Sequence, residues 1–292
     1  LTDSWVIYDR LLEEIPSDAV VKACLVGRSW TVVDSEGLGI AMTCRGDPQR
    51  SALRPPYSGR RLSELAAYLR SWDLHEASLG MAAVNSHYNS PERVRGWLKG
   101  PLDAVHGAGA LTDMLEHVSG KKVAVIGHFP DVEAAASRCE LTVLERDPHG
   151  DDLPDFAAEY VLPEQDYVFI TGVTVTNKTL PRLIELSAQA TVVLMGPSVP
   201  LAPWWFDQGV DVLAGMVVID RDEAWRYCQE GGLKGPFSNG GRKVQITRDD
   251  VRADLSAMQD AAARVIPQPD AGPSAVGHPI AEPFTTAPET TD

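Results

Sequence analysis

Three turns hold the side chains best suited to chemistry. Gly127-His128-Phe129-Pro130 follows the β-branched run Lys122 to Gly127, and Glu145 closes a second apolar run, Leu141 to Leu144. Thr171-Gly172-Val173-Thr174-Val175-Thr176-Asn177-Lys178-Thr179 follows a further run, and Gly196-Pro197-Ser198 follows another. A histidine at a strand-end turn can move a proton or ligate a metal. A carboxylate at the end of a strand can accept hydrogen bonds from two vicinal hydroxyls, as toward a ribose. Hydroxyls, an amide and a helix N-terminus in one turn can hold a carboxylate or another anion. His128 and Lys178 are therefore the candidate catalytic residues. Gly127, Phe129, Pro130, Glu145, Thr171, Thr174, Asn177, Gly196, Pro197 and Ser198 are the candidate ligand-binding ones. Gly39 on an earlier strand and Asn85 at a helix end are expected to close the site from the other side. Each has a plainer reading: His128 satisfied by its neighbours, Glu145 paired with Arg146, Thr176 a helix cap, Gly39 a packing contact.

Several better-known sites are disfavoured. Only the first glycine of a G-x-G-x-x-G fingerprint stands at Gly127, so a pyrophosphate of NAD or FAD could not approach the backbone there. Gly172 to Thr179 differs from G-x-x-x-x-G-K-[ST] by Asn177 in place of glycine, which crowds the path a phosphate would take. Ser198 lies in no G-x-S-x-G elbow. The seven histidines form no H-x-x-H or H-x-x-x-H pair, so a metal site would have to be assembled across the chain, with His87, His128, Asp147 and His149 as the pool. The metal ligands stay unassigned, and the candidate cofactors are a divalent metal or an S-adenosylmethionine- or nucleoside-like ligand.

The elements that must position these turns are strands and helices in alternation. Lys122 to Gly127, Asp131 to Arg138 and Leu141 to Leu144 read as strand, helix, strand, the signature of a parallel sheet whose ligands gather outside the carboxyl ends. Tyr167 to Thr171 is a strand, Thr176 to Ala188 a helix, and Thr191 to Met195 a strand. Val210 to Leu213 and Met216 to Ile219 are short strands, and Arg221 to Gln229 and Asp249 to Val265 are helices. The earlier part is different. A helix bearing Trp5, Tyr8, Leu11, Leu12 and Ile15 on one face precedes strands at Ala19 to Val26, Trp30 to Val33 and Leu38 to Thr43. Helices follow at Ser63 to Leu69 and His75 to Val84. The expected organisation is an α+β domain over 1–90, a Gly- and Pro-rich connection over 91–110, an α/β domain over 111–265, and a Pro/Ala/Thr-rich tail over 266–292.

The chain has 292 residues and a formal net charge of -15, which disfavours a nucleic acid or an anionic membrane surface as partner. Its four cysteines show no C-x-x-C spacing and read as reduced thiols, and no apolar run is long enough to span a bilayer. A cytoplasmic protein with a small-molecule ligand is expected, and a homo-oligomer stays open.

GHFPDVE, LTVLERDPHGDDLPDFAAEYVLPEQDYVFITG, TNKTLPRLIEL, GPSVPLAP and GVDVLAG, together with LGIAMT and LGMAAVNS, resemble the putative heavy-metal-chelation family of prokaryotic proteins over roughly residues 3 to 245. That resemblance implies an enolase-N-terminal-like domain followed by a Rossmann-like domain. It also implies a ligand site in the cleft between them and a link to metal handling. Three functions follow as expectations: a small-molecule enzyme tied to making a metal chelator or handling a metal, a non-catalytic binder of a metal or metal complex, and an S-adenosylmethionine- or nucleoside-dependent enzyme. A structural partner protein is a further class.

Overall fold

Asp34-Ser35-Glu36-Gly37 joins two apolar strands so tightly that they pair as a hairpin, and a third strand extends it. The structure is a computed structural model and describes residues 5–46 and 51–253. Helix α1 (Val6–Glu13) comes first, then strands β1 (Ala23–Val26), β2 (Trp30–Asp34) and β3 (Leu38–Met42), antiparallel in the order β1-β2-β3. Helix α2 (Leu62–Ala66) packs against α3 (Leu74–Tyr88), which covers this sheet. The α3 helix starts where the Asp73 carboxylate accepts from the N–H groups of His75 and Glu76, which satisfies two orphan donors. It is buried almost throughout, and Asn85 at 0% exposure donates its amide to Ile40 O at 2.9 Å.

The expected connection after Tyr88 holds a helix of its own, α4 (Pro91–Trp97). Ser90 caps it and Pro91 occupies its first turn, where a missing N–H costs nothing. Helix α5 (Ala110–Asp113) then leads to strand β4 (Lys122–Ile126), helix α6 (Val132–Ala136), strand β5 (Glu140–Glu145) and the two-residue strand β6 (Leu153–Pro154). Helix α7 (Ala158–Val161) precedes strand β7 (Tyr167–Thr171), helices α8 (Val173–Thr176) and α9 (Leu180–Leu186), and strand β8 (Thr191–Met195). Strand β9 (Val212–Val218), helix α10 (Arg221–Gln229) and strand β10 (Gly241–Thr247) complete the regular structure.

These strands form a seven-stranded sheet in the order β10-β9-β8-β7-β4-β5-β6, parallel except for β10 at one edge. The chain moves outward from β4 to β5 and β6, then returns to place β7 on the other side of β4. The boundary between β4 and β7 is thus the point where the direction of winding reverses, and ligands of such sheets bind at the carboxyl ends beside it. Val123, Val125, Phe169, Val193 and Met195 meet Leu111, Met114 and Val132 in a core on one face of the sheet. A second core joins the two sheets: Trp30, Val32, Leu38 and Ile40 pack with Met216 and Val218 of β9 and Ala224 and Cys228 of α10.

Several expected elements differ. The single helix expected over 176–188 is broken, because Lys178 adopts a left-handed backbone (φ 67) and Pro181 starts α9 afresh. The two strands expected around Ala214-Gly215 are one strand, β9, in which Gly215 admits the Leu201 side chain. Strand β10 was not among the expected elements, although its buried Val244 and Ile246 alternate with partly exposed residues. The helix expected from Asp249 is a short 3-10 turn to Asp250, after which Val251 is extended and bridges to Leu98; from 254 on, the expected helix and the tail lie outside the described residues.

Candidate functional site

At the carboxyl ends of β4, β5, β7 and β8 lies a cleft of about 1600 Å³. Gly127 (φ 100) and Gly196 (φ 109) turn the chain sharply off β4 and β8 in a conformation that a side chain would strain. Both line the cleft, as do His128, Phe129, Pro130, Glu145, Thr171, Thr174, Asn177, Lys178, Pro197 and Ser198. The opposite wall includes Met42, Thr43, Cys44 and Arg45 at the end of β3, and the Ser198 hydroxyl accepts from Met42 N–H at 2.9 Å. Gly39 and Asn85, expected to close the site, do not line it. A Cβ on Gly39 would fall 2.1 Å from Ala82 O and Ser86 N, so this glycine lets β3 lie against the α3 backbone. Asn85 is held beneath it by its bond to Ile40 O.

The side chains are already partly engaged. Glu145 accepts from His128 N–H through Oε1 and from Arg146 N–H through Oε2, both at 2.9 Å, which fixes the turn after β4 against the end of β5. Each oxygen keeps a lone pair for a ligand hydroxyl. His128 Nδ1 lies 3.3 Å from Asp152 Oδ2, a carboxylate only 8% exposed, while the imidazole is more than half exposed. Asp152 was not foreseen, and its place after the apolar run through Glu145 gave no spacing signal. Asn177 Oδ1 accepts from Thr179 N–H at 3.1 Å and pairs with the Thr179 hydroxyl at 2.6 Å, closing a local turn. The expected anion site at a helix N-terminus is therefore replaced: α8 and α9 are each too short to aim a dipole, and the turn between them is filled by its own side chains.

Lys178 differs most from an ordinary surface lysine. Its amine donates to two main-chain carbonyls, Ser71 O and, at 2.9 Å, Thr176 O. Burial lowers its pKa to about 8, an effect that the negative charges available from Cys44 and Asp73 only partly offset. Lys178 is also the non-glycine residue with positive φ among the described residues, a conformation that costs about 1 kcal/mol and that here ends α8, with Lys178 N–H on Val175 O at 3.3 Å and Thr179 N–H on Thr174 O at 3.0 Å. Buried Tyr8 also donates its hydroxyl to Val175 O at 3.0 Å.

The lining mixes charges. Arg45, Arg146, Arg182, Lys178, Lys234 and Lys243 stand among its acids, so the cleft is locally much less negative than the chain. Arg146 and Arg182 are tied to Asp155 and Glu159. Lys234 and Lys243 come from the loop and strand after α10, where the Gly-, Lys- and Ser-bearing run KGPFSNGGRK was the overlooked signal. Of the pool considered for a metal, His128 and Asp147 line the cleft, whereas His87 is buried against Glu36 beneath the β2–β3 turn. Among the described residues no group of three or more His, Cys, Asp or Glu side chains could hold a metal ion, so the donor set does not fit a bare metal here. No described helix is long and apolar enough to cross a membrane.

Comparison with known proteins gives this geometry its context. Two family models, both described as "Putative heavy-metal chelation", match residues 8–88 and 110–247. A crystal structure of a protein of unknown function from Desulfitobacterium hafniense, of the family matched over 110–247, is 36% identical. It covers 85% of this chain and 100% of its own, with a TM-score of 0.74. One from Pyrococcus horikoshii, 24% identical, shares the fold at a TM-score of 0.70, covering 82% of this chain and 98% of its own. An uncharacterised protein of Methanocaldococcus jannaschii is 29% identical over 236 residues, 75% of this chain and 85% of that one. With both models matched and a solved relative covered along its whole length, the chain belongs to the family described as "Putative heavy-metal chelation".

Proposed function

We propose that the protein is a small-molecule enzyme whose site is the cleft between the α+β part and the α/β part. Its substrate carries an anionic group and hydroxyls, and its reaction belongs to the making of a metal chelator or the handling of a metal. The observation that carries this reading is Lys178, a half-buried amine with a lowered pKa on the cleft wall. Such groups gather where chemistry is done, because a lysine held partly neutral can accept a proton or attack a carbon. His128, backed by Asp152, supplies a second proton-handling group on the same wall. The basic side chains of the lining offset its acids, so the cleft admits an anionic substrate that the chain's net charge of -15 would otherwise repel.

Glu145 favours a second reading, an S-adenosylmethionine- or nucleoside-dependent enzyme, since it stands at the end of the strand after β4 and retains acceptor capacity for two hydroxyls. A non-catalytic binder of a metal complex would use the same cleft. A thermal-shift panel separates them. Dicarboxylates, hydroxy acids and their metal chelates should raise Tm. A shift with S-adenosylmethionine or adenosine alone would select the second reading, and a shift with free divalent metals alone would select a metal binder. No shift with any of these would overturn the cleft as a small-molecule site.

A further inference from the structure

We infer that Lys178 is a covalent site: its amine condenses with the carbonyl of an α-oxo acid or an acidic aldehyde bound in the cleft, forming an imine. This deepens the reading given above and rests on it. The geometry around the nitrogen is the first support. The two hydrogen-bond partners of the amine are main-chain carbonyls, Ser71 O and Thr176 O, rather than a carboxylate, and the Trp72 ring centre lies 6.0 Å from the nitrogen. A neutral amine has two N–H bonds and one lone pair. When both N–H bonds point at those carbonyls, the lone pair takes the remaining tetrahedral position, and Lys178 is one of the residues that line the cleft. Backbone geometry is the second support. Lys178 is the left-handed residue that closes α8, with its N–H on Val175 O at 3.3 Å and Thr179 N–H on Thr174 O at 3.0 Å, and this turn brings the residue to the cleft lining. Burial is the third. With a pKa of about 8, roughly one molecule in ten carries the neutral amine at pH 7, against about one in 2,500 for an unperturbed lysine.

The step balances without an added oxidant or reductant. The lone pair attacks the carbonyl carbon, the C–N bond forms, and the C=O π pair moves to oxygen, which takes a proton. The carbinolamine then loses that oxygen as water and the nitrogen its remaining proton, leaving the imine. The acid group of the substrate would meet cations elsewhere in the cleft lining, Arg45 and Lys234 among them, whereas Lys243 is engaged with Ala108 O.

Glyoxylate with sodium cyanoborohydride tests this on the full chain, because the reductant converts an imine to a stable secondary amine that peptide mass spectrometry locates. At pH 7 and low glyoxylate, Lys178 should be labelled about tenfold or more ahead of exposed Lys121 and Lys122, and its rate should rise to a plateau near pH 8 to 9. Lys178→Arg, which keeps the charge, should remove that adduct alone. Labelling of Lys178 no faster than that of the exposed lysines, or a rate that climbs only toward pH 10, would overturn the inference, and this wild-type profile needs no variant. Succinate, which has no reactive carbonyl, separates the two levels of the claim. If it still raises Tm while Lys178 stays unlabelled, the imine fails and the cleft reading stands; if neither occurs, both fail.

Discussion

Both oxygens of Glu145 receive main-chain N–H groups, so replacing this residue acts on the turn as well as on a ligand. Glu145→Ala should cost about 1–2 kcal/mol by chemical denaturation, since two main-chain donors of exposed residues return to water. It should also abolish any thermal shift given by a hydroxyl-bearing ligand, and an unchanged shift would remove Glu145 from the site. His87 makes a different prediction. Burial, helped by the Arg93 charge, lowers its pKa, and Glu36 pulling the other way does not reverse this. The unfolded state then binds more protons than the folded one just below the ordinary histidine value, so the contribution of His87 is complete above about pH 6.5 and is lost as pH falls through the folded pKa. The urea midpoint of the wild type should fall more steeply between pH 7 and 5 than that of His87→Gln. Parallel curves would show that His87 titrates freely.

At the scale of elements, α3 and β3 meet so closely that a methyl group at Gly39 has nowhere to go. Gly39→Ala should cost about 3 kcal/mol or more, read as a lowered Tm, because the obstructing atoms belong to the helix backbone. Strands β7 and β8 match their expected bounds, and β4 differs only at its end, since unbroken β-branched runs bounded by turns leave little choice. The break between α8 and α9 was not legible in the same way. Thr176 to Ala188 has a helical pattern, and nothing in it announces that Lys178 will take the left-handed backbone that closes α8, where its N–H meets Val175 O and Thr179 N–H meets Thr174 O. The α4 helix was legible through Ser90-Pro91 but hidden by the glycines around it.

For the whole molecule, the cleft depends on how the antiparallel sheet is fixed to the parallel one. Asn89, 5% exposed at the end of α3, donates to Val199 O at 2.8 Å and Met216 O at 3.2 Å and accepts from Leu201 N–H at 2.8 Å. Asn89→Ala would leave three buried main-chain groups unpaired and should cost about 3 kcal/mol or more in a denaturant titration. A loss under about 1 kcal/mol would mean that water replaces the amide. Which turns face one another was legible from the order of strands and helices, since a parallel sheet gathers its carboxyl-end turns at one edge. What the other wall contributes was not, because Cys44, Arg45 and the Lys234 to Lys243 run reach the cleft through packing that no local pattern encodes. The most direct test of the cleft as the binding site is hydrogen exchange with and without the anionic ligand that raises Tm most. The account predicts slowed exchange in 127–130, 171–179 and 196–198. Protection confined to the separate pocket bounded by Cys24, Pro55, Tyr57 and His75, with none in those three turns, would contradict it.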